Sequence, residues 1–278
     1  MSEVKASSGL LSSTKVHVDD TGGSGRPVVL IHGWPLSGEA WEKQVPALVD
    51  AGYRVVRYDR RGFGRSDKPD DGYDYDTLTD DLQAVLTELD LRDATLVGFS
   101  MGGGEAARYV PRHGAERVRS IVFASAVPPY LAQTDDNPEG PLDDATAEEF
   151  ESGLRADRDS FFEQFTTDFF SADGELKVSE SERLQAKALC AQSDQTAALQ
   201  CMEAFGTTDF REDLPQIQVP VLVLHGSADG IVPFEGSGAR TAEAVPSSDT
   251  HVIDGAPHGC NVSHAEEFNR ALIEFLER

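Results

Sequence analysis

The sequence predicts an α/β fold, a mostly parallel sheet covered by helices and interrupted by a helical insert. Three observations predict it. Through the first half, short β-branched runs alternate with stretches of helical periodicity, as parallel strands require when a helix must carry the chain back across the sheet. From Pro128-Pro129 to about Cys201 this rhythm stops and the chain turns acidic and helix-like, and strands resume at Val219–Leu224. A length of 278 residues suits one large core. The expected organisation is a core of residues 1–127 and 206–278 with a helical lid at 128–205.

Each element follows from local pattern. Val28–Ile31 reads as a buried strand ending at His32-Gly33, and Ser37 caps a helix running through Trp41, Val45 and Leu48 to Gly52. Arg54–Tyr58 is the next strand and empties into the glycine-rich turn Asp59–Ser66. A helix from about Thr77 to Leu89 puts Leu78, Leu82, Val85, Leu86 and Leu89 on one face. The strand Ala94–Gly98, a helix from Met101 to about His113 and the strand Arg119–Ala124 complete this half. The insert reads as helices at Ala145–Leu154, Arg158–Phe170 and Ser181–Leu189, with no strand. Most of its phenylalanines are expected to pack it onto the core. After the strand-like run Asp249–Ile253, a final helix is expected from about Val262 to Leu276.

Charge and cysteines exclude several classes. Against 24 basic residues stand 49 acidic ones, a net charge of −25. Such a surface repels nucleic acid and anionic membranes. It fits adaptation to high salt or simply an acidic enzyme, and the melting temperature separates them. Salt adaptation predicts a rise from low to molar KCl as self-repulsion is screened, whereas a flat or falling curve removes that reading. Three cysteines imply no disulfide framework, and no pattern of zinc ligands is present. No apolar run approaches the roughly 20 residues of a membrane span, and Met1–Leu11 lacks a signal-peptide core. The expectation is a soluble, cytoplasmic protein.

The chemistry centres on Gly98-Phe99-Ser100-Met101-Gly102. A strand precedes it and a helix follows, so Ser100 sits at a sharp strand-to-helix turn that only small neighbours allow. A serine hydroxyl needs a base. Among seven histidines, His258 alone lies in a loop, Gly255–Gly259, between the last strand and the last helix. His32 and His225 close strands and read as structural. Asp229 is the candidate acid, the one carboxylate in the run His225–Pro233 after the Val219–Leu224 strand, placed to accept the imidazole Nδ1–H. Most other carboxylates read as solvated surface. The backbone N–H groups of Trp34 and Met101 are the candidate oxyanion donors. Pro35 either aims the Trp34 carbonyl at a small nucleophile such as hydrogen peroxide or simply ends a turn. Phe99, Pro35, Phe162, Phe165, Ile231 and Val232 are the candidate pocket lining.

Longer runs carry a resemblance: HGWPLSGEAWE (32–42), YDRRGFGRSDKP (58–69), LVGFSMGGGEAARYVPRHG (96–114) and GAPHGCNVSHAEEFN (255–269). By these the chain resembles the cofactor-free haloperoxidase, perhydrolase and aryl esterase group of the α/β hydrolases across nearly its whole length. The resemblance implies the α/β-hydrolase fold and cleavage of small aryl or short-chain carboxylic esters through Ser100, Asp229 and His258. It also implies peracid formation from a carboxylic acid and hydrogen peroxide, no metal or other cofactor, and a homo-oligomer. Residues 130–200 match only loosely. Serine at position 100 sets the chain apart from dehalogenases and epoxide hydrolases of this fold, which carry aspartate there. A ligand-binding receptor with little turnover, a γ-lactamase and a C–C hydrolase remain as alternatives.

Overall fold

The computed structural model describes residues 2–8 and 12–278. Met1 and residues 9–11, part of the leading segment read for an export signal, lie outside the described residues. An antiparallel pair, β1 (Ser2–Ser8) and β2 (Ser12–Asp20), opens the chain. β3 (Pro27–Ile31) is buried from Val28 onward, as a strand covered on both faces must be. A 3₁₀ turn at Gly38–Trp41 and α1 (Gln44–Asp50) lead into β4 (Arg54–Asp59). The single helix expected here is therefore two pieces. Pro46, in the first turn of α1, has no N–H to return to an earlier turn, so the helix cannot continue through it from Gly38.

α2 (Tyr75–Glu88) begins where the Asp74 carboxylate accepts the Thr77 N–H, and buries Leu78, Leu82, Val85 and Leu86. β5 (Ala94–Phe99) is buried throughout, α3 (Gly102–His113) follows it at once, and β6 (Val118–Ala124) closes the first half.

The insert holds α4 (Asp144–Ala156), α5 (Arg158–Phe170), the short strands β7 (Ser171–Ala172) and β8 (Glu175–Leu176), α6 (Glu180–Ala191) and α7 (Gln195–Thr207). The hairpin corrects the expectation of no strand. Its turn, Asp173-Gly174, has φ of 54° and 77°, the Asp-Gly type that joins twisted strands, but two-residue strands show no periodicity. α7 is a helix beyond the three expected and runs past residue 205; the Asp194 carboxylate starts it by accepting the Thr196 and Ala197 N–H groups.

β9 (Val221–Gly226), α8 (Gly238–Ala244), β10 (Asp249–Ile253), α9 (Cys260–Ser263) and α10 (Ala265–Leu276) complete the core. The expected last helix is thus broken at His264, whose φ of −123° and ψ of 40° leave the helical region. The eight-stranded sheet has the order β1-β2-β4-β3-β5-β6-β9-β10, antiparallel at β1/β2 and β2/β4 and parallel from β4 onward. Its registers pair Ile31 with Gly98, Phe99 with Ala124, Ala124 with Leu224 and Gly226 with Ile253. The carboxyl ends of β3, β5, β6, β9 and β10 therefore lie along one edge, where open α/β sheets place their sites. Among the described residues no helix is long and apolar enough to cross a membrane.

Candidate active site

Ser100 leaves β5 with φ +53°, a left-handed backbone held by its own N–H bond to the Ala124 carbonyl at 2.9 Å. A non-glycine residue there is strained, and the surroundings must enforce it. They do so by close approach: a Cβ on Gly98 would fall 2.5 Å from the Gly102 carbonyl oxygen, and one on Gly102 2.5 Å from that of Ile31. The turn thrusts the Ser100 hydroxyl off the end of the sheet.

The loops after β9 and β10 bring two further side chains to it. His258 Nε2 lies 3.0 Å from Ser100 Oγ, and His258 Nδ1 lies 2.7 Å from Asp229 Oδ2. A carboxylate only accepts, so Nδ1 carries the proton and Nε2 presents a lone pair to the hydroxyl. Asp229 Oδ1 accepts the backbone N–H groups of Ile231 at 3.0 Å and Val232 at 2.8 Å. Burial alone would push this carboxyl up, but electrostatic attraction to the His258 imidazole and the hydrogen bond from His225 hold it well below the usual carboxylate range. The His258 ring is gripped by Phe99 from the sheet and Phe169 from α5, with centroids 5.1 and 5.0 Å away. Its loop is tied to the insert by the Gly259 N–H bond to the Phe169 carbonyl, 2.9 Å.

His225, expected from sequence to be structural, touches Asp229. Its Nε2 is 3.3 Å from Asp229 Oδ2 and 2.8 Å from the Val232 carbonyl. Both partners are acceptors, so Nε2 is the protonated nitrogen, and Nδ1 is buried without a partner among the described residues. Sequence offered one signal: a histidine four residues before the acid, at the strand end.

Met101 follows Ser100 directly in the chain, Trp34 shares a cavity wall with Ser100, and neither backbone N–H meets an acceptor among the described residues. Met101 also stands at the N-terminus of α3, where the helix dipole favours negative charge. Trp34 is anchored by its indole Nε1–H bond to the Ala198 carbonyl of α7 at 2.9 Å, and the Trp34–Pro35 peptide is cis.

Behind this loop lies a buried ionic network. Arg60 Nη2 donates to the His32 carbonyl at 2.7 Å and Nε to Glu105 Oε1 at 2.7 Å, while Tyr58 donates to Glu105 Oε2. The network joins the His32–Trp34 loop to α3. Glu105, Asp81 and Asp59 are buried and bonded to Arg60, Arg61 and Arg65, so these three depart from the solvated role read for most carboxylates.

His32 Nε2 accepts the Arg60 backbone N–H at 2.9 Å and Nδ1 bonds the Gly33 carbonyl at 2.8 Å. Burial, then the Arg60 charge, lowers its pKa from 6.5 to about 3. The folded protein thus refuses a proton that the unfolded chain accepts. Stability from this group is complete above pH about 6.5 and falls by about 1.4 kcal/mol per pH unit as acid is added, until the folded value is reached. Urea unfolding between pH 6 and pH 4, windows of about one unit apart, is expected to show a slope one proton shallower in His32→Asn than in wild type. Equal slopes would contradict this.

Ser100 and His258 open into a cavity of ≈ 150 Å³ whose walls include Trp34, Val127, Leu131, Phe161, Phe165, Met202, Phe205, Ile231 and Val232. Apart from Ser100 and His258, the polar side-chain groups are the Thr146 hydroxyl and the Trp34 indole N–H, the latter bonded to the Ala198 carbonyl, and none of the other lining residues is charged. Cavities of ≈ 260 and ≈ 280 Å³ on the flanks of the insert are larger but do not reach Ser100. Three of the six pocket expectations need correction. Phe99 packs under the His258 ring against Trp41 and Phe169 instead of lining the cavity. On α5, Phe161 and Phe165 are four residues apart and face the cavity; Phe162, about 100° round the helix, turns away to the Arg158 guanidinium, 4.8 Å from its ring centroid. Trp34 takes the remaining wall, and Pro35 is buried without reaching the cavity.

Residues 26–265 match the family described as alpha/beta hydrolase fold, and the chain belongs to that family. Within it the chain falls among the cofactor-free haloperoxidases and perhydrolases. It is 52% identical to a bromoperoxidase from Bacillus anthracis of known structure, with a TM-score of 0.96 over 100% of this chain and 99% of that one. It is 45% identical to a non-heme chloroperoxidase of Kitasatospora aureofaciens over 92% of this chain and 94% of the relative. A bifunctional esterase/perhydrolase of Acinetobacter calcoaceticus is 38% identical over 95% and 98%.

Proposed function

We propose that the chain is a serine esterase that cleaves small, uncharged carboxylic esters through an acyl-enzyme on Ser100 and passes the acyl group to water or to hydrogen peroxide. One observation carries the proposal: the hydroxyl–imidazole–carboxylate chain at 3.0 and 2.7 Å, set at the end of an uncharged cavity. His258 takes the Ser100 proton as the hydroxyl attacks, and Asp229 stabilises the imidazolium. The Trp34 and Met101 N–H groups receive the oxyanion, each worth about 2.7–4 kcal/mol by the usual cost of losing such a donor. His258 then protonates the departing alcohol and activates water, which releases acid, or peroxide, which releases peracid.

The cavity has about the volume that takes a benzene ring, which supports a short acyl or aryl group. Its lining supplies no cation for a carboxylate, and the net charge of −25 repels one. A neutral ester is therefore the better acyl donor. Sustained turnover of p-nitrophenyl acetate, with bromination of a phenol when ester, peroxide and bromide are all present, is the expected result. A single stoichiometric burst of nitrophenol would overturn the proposal in favour of a ligand-binding role. Self-association belongs to the same proposal and is tested by light scattering on the eluting protein.

A further inference from the structure

We propose that the Met202 thioether is a modification site, converted to the sulfoxide by peracid formed at Ser100, so that the protein limits its own peroxide chemistry. This rests on the perhydrolase reading above. Met202 lies on α7 and lines the ≈ 150 Å³ cavity together with Ser100 and His258. It also lines the ≈ 280 Å³ cavity on the outer side of the insert, and Leu142, Phe150 and Phe205 share both walls with it. Met202 thus stands between the two cavities, in the wall faced by a product formed at Ser100.

No other sulfur among the described residues is so placed. Met101 is fully buried and lines neither cavity. Cys190, Cys201 and Cys260 are fully buried, and burial pushes the Cys201 and Cys260 thiols up to about 12. A thiol reacts through its thiolate, which that shift suppresses, whereas a thioether is nucleophilic without losing a proton.

The step balances. A sulfur lone pair attacks the distal oxygen of the percarboxylic acid, the O–O bond breaks with its electron pair going to the carboxylate, and the proton on the transferred oxygen passes to that carboxylate to give the carboxylic acid. Sulfur loses two electrons and the peroxy group gains them. Peracid acts ahead of hydrogen peroxide because carboxylate is a better leaving group than hydroxide. The product is a polar, chiral sulfoxide in a wall that offers its oxygen little but phenylalanine and aliphatic neighbours. Affinity for the apolar acyl or aryl group then falls.

Wild-type protein is incubated with p-nitrophenyl acetate and hydrogen peroxide, digested, and read by mass spectrometry, while a parallel mixture that also holds bromide and a phenol reports peracid release by bromination. The expected result is Met202 sulfoxide rising with turnover, Met101 staying reduced, and the hydrolysis rate falling in step. Ser100→Ala in the same mixture stays at the level set by peroxide alone. Met202→Leu, measured against its own starting rate, keeps its activity over the same exposure. Bromination with Met202 still reduced would overturn the proposal and leave the perhydrolase reading standing. No bromination would overturn both. Equal sulfoxide in wild type and Ser100→Ala would mean ordinary peroxide damage and would also overturn it.

Discussion

Ser100→Ala is expected to lower kcat for p-nitrophenyl acetate by about 10⁶-fold, and His258→Ala by a similar factor, the scale seen when a serine–histidine pair loses either member. The reason is that no substitute stands ready. Ser100 is held off the sheet by a backbone that few residues adopt, at φ +53°. No other side chain lining the cavity has a hydroxyl except Thr146, which lies on α4 of the insert. The double variant should be no worse than either single one, because the two groups act as a unit. A residual rate above water is expected to survive in all three, since the Trp34 and Met101 N–H groups are untouched. Stopped-flow or steady-state release of nitrophenol measures this. A loss of only a few-fold in folded Ser100→Ala would remove the serine from the reaction.

Asp229→Asn is the second large effect, a fall in kcat of about 10⁴-fold, and here the structure dictates the failure atom by atom. Oδ1 receives the Ile231 and Val232 N–H groups. In asparagine the amide oxygen must occupy that position, because the NH₂ group would confront two donors. The NH₂ is then left where Oδ2 was, facing His258 Nδ1 at 2.7 Å and His225 Nε2 at 3.3 Å. His258 is driven to the other tautomer, with its lone pair toward position 229 and its N–H toward Ser100. It can no longer take the serine proton. Activity is expected to return partly at alkaline pH, where hydroxide replaces the missing base, and a flat loss across pH would contradict the tautomer argument.

The site was legible in sequence to the extent that strand ends were. Ser100, Asp229 and Trp34 each follow a strand whose run of apolar residues is plain, His258 follows the shorter and mostly exposed run Asp249–Ile253, and parallel pairing brings the ends of these strands to one edge. The run His225–Pro233 after β9 then offers one carboxylate, Asp229, and the run Gly255–Gly259 after β10 one histidine, His258. What stayed hidden depends on rotation about an axis, not on position along the chain. Phe161, Phe162 and Phe165 share one helix, and which of them faces the cavity is fixed by how α5 settles on the sheet. His225 was hidden for a related reason. As the penultimate residue of a fully buried strand it reads as interior, and its contact with Asp229 arises only because the loop turns back within four residues. Glu105 was concealed by its helix: buried charge is recognised by its partner, and Arg60 lies 45 residues away.

Covalent trapping tests the central claim most directly. An aryl organophosphonate, which mimics the tetrahedral oxyanion and stays on the attacked oxygen, is added to the full chain and the adduct is mapped by peptide mass spectrometry. A single adduct on the peptide carrying Ser100, formed in step with loss of esterase activity and lost in His258→Ala, is the predicted result. Activity that disappears with the label on another residue, or that survives full labelling of Ser100, would contradict the account.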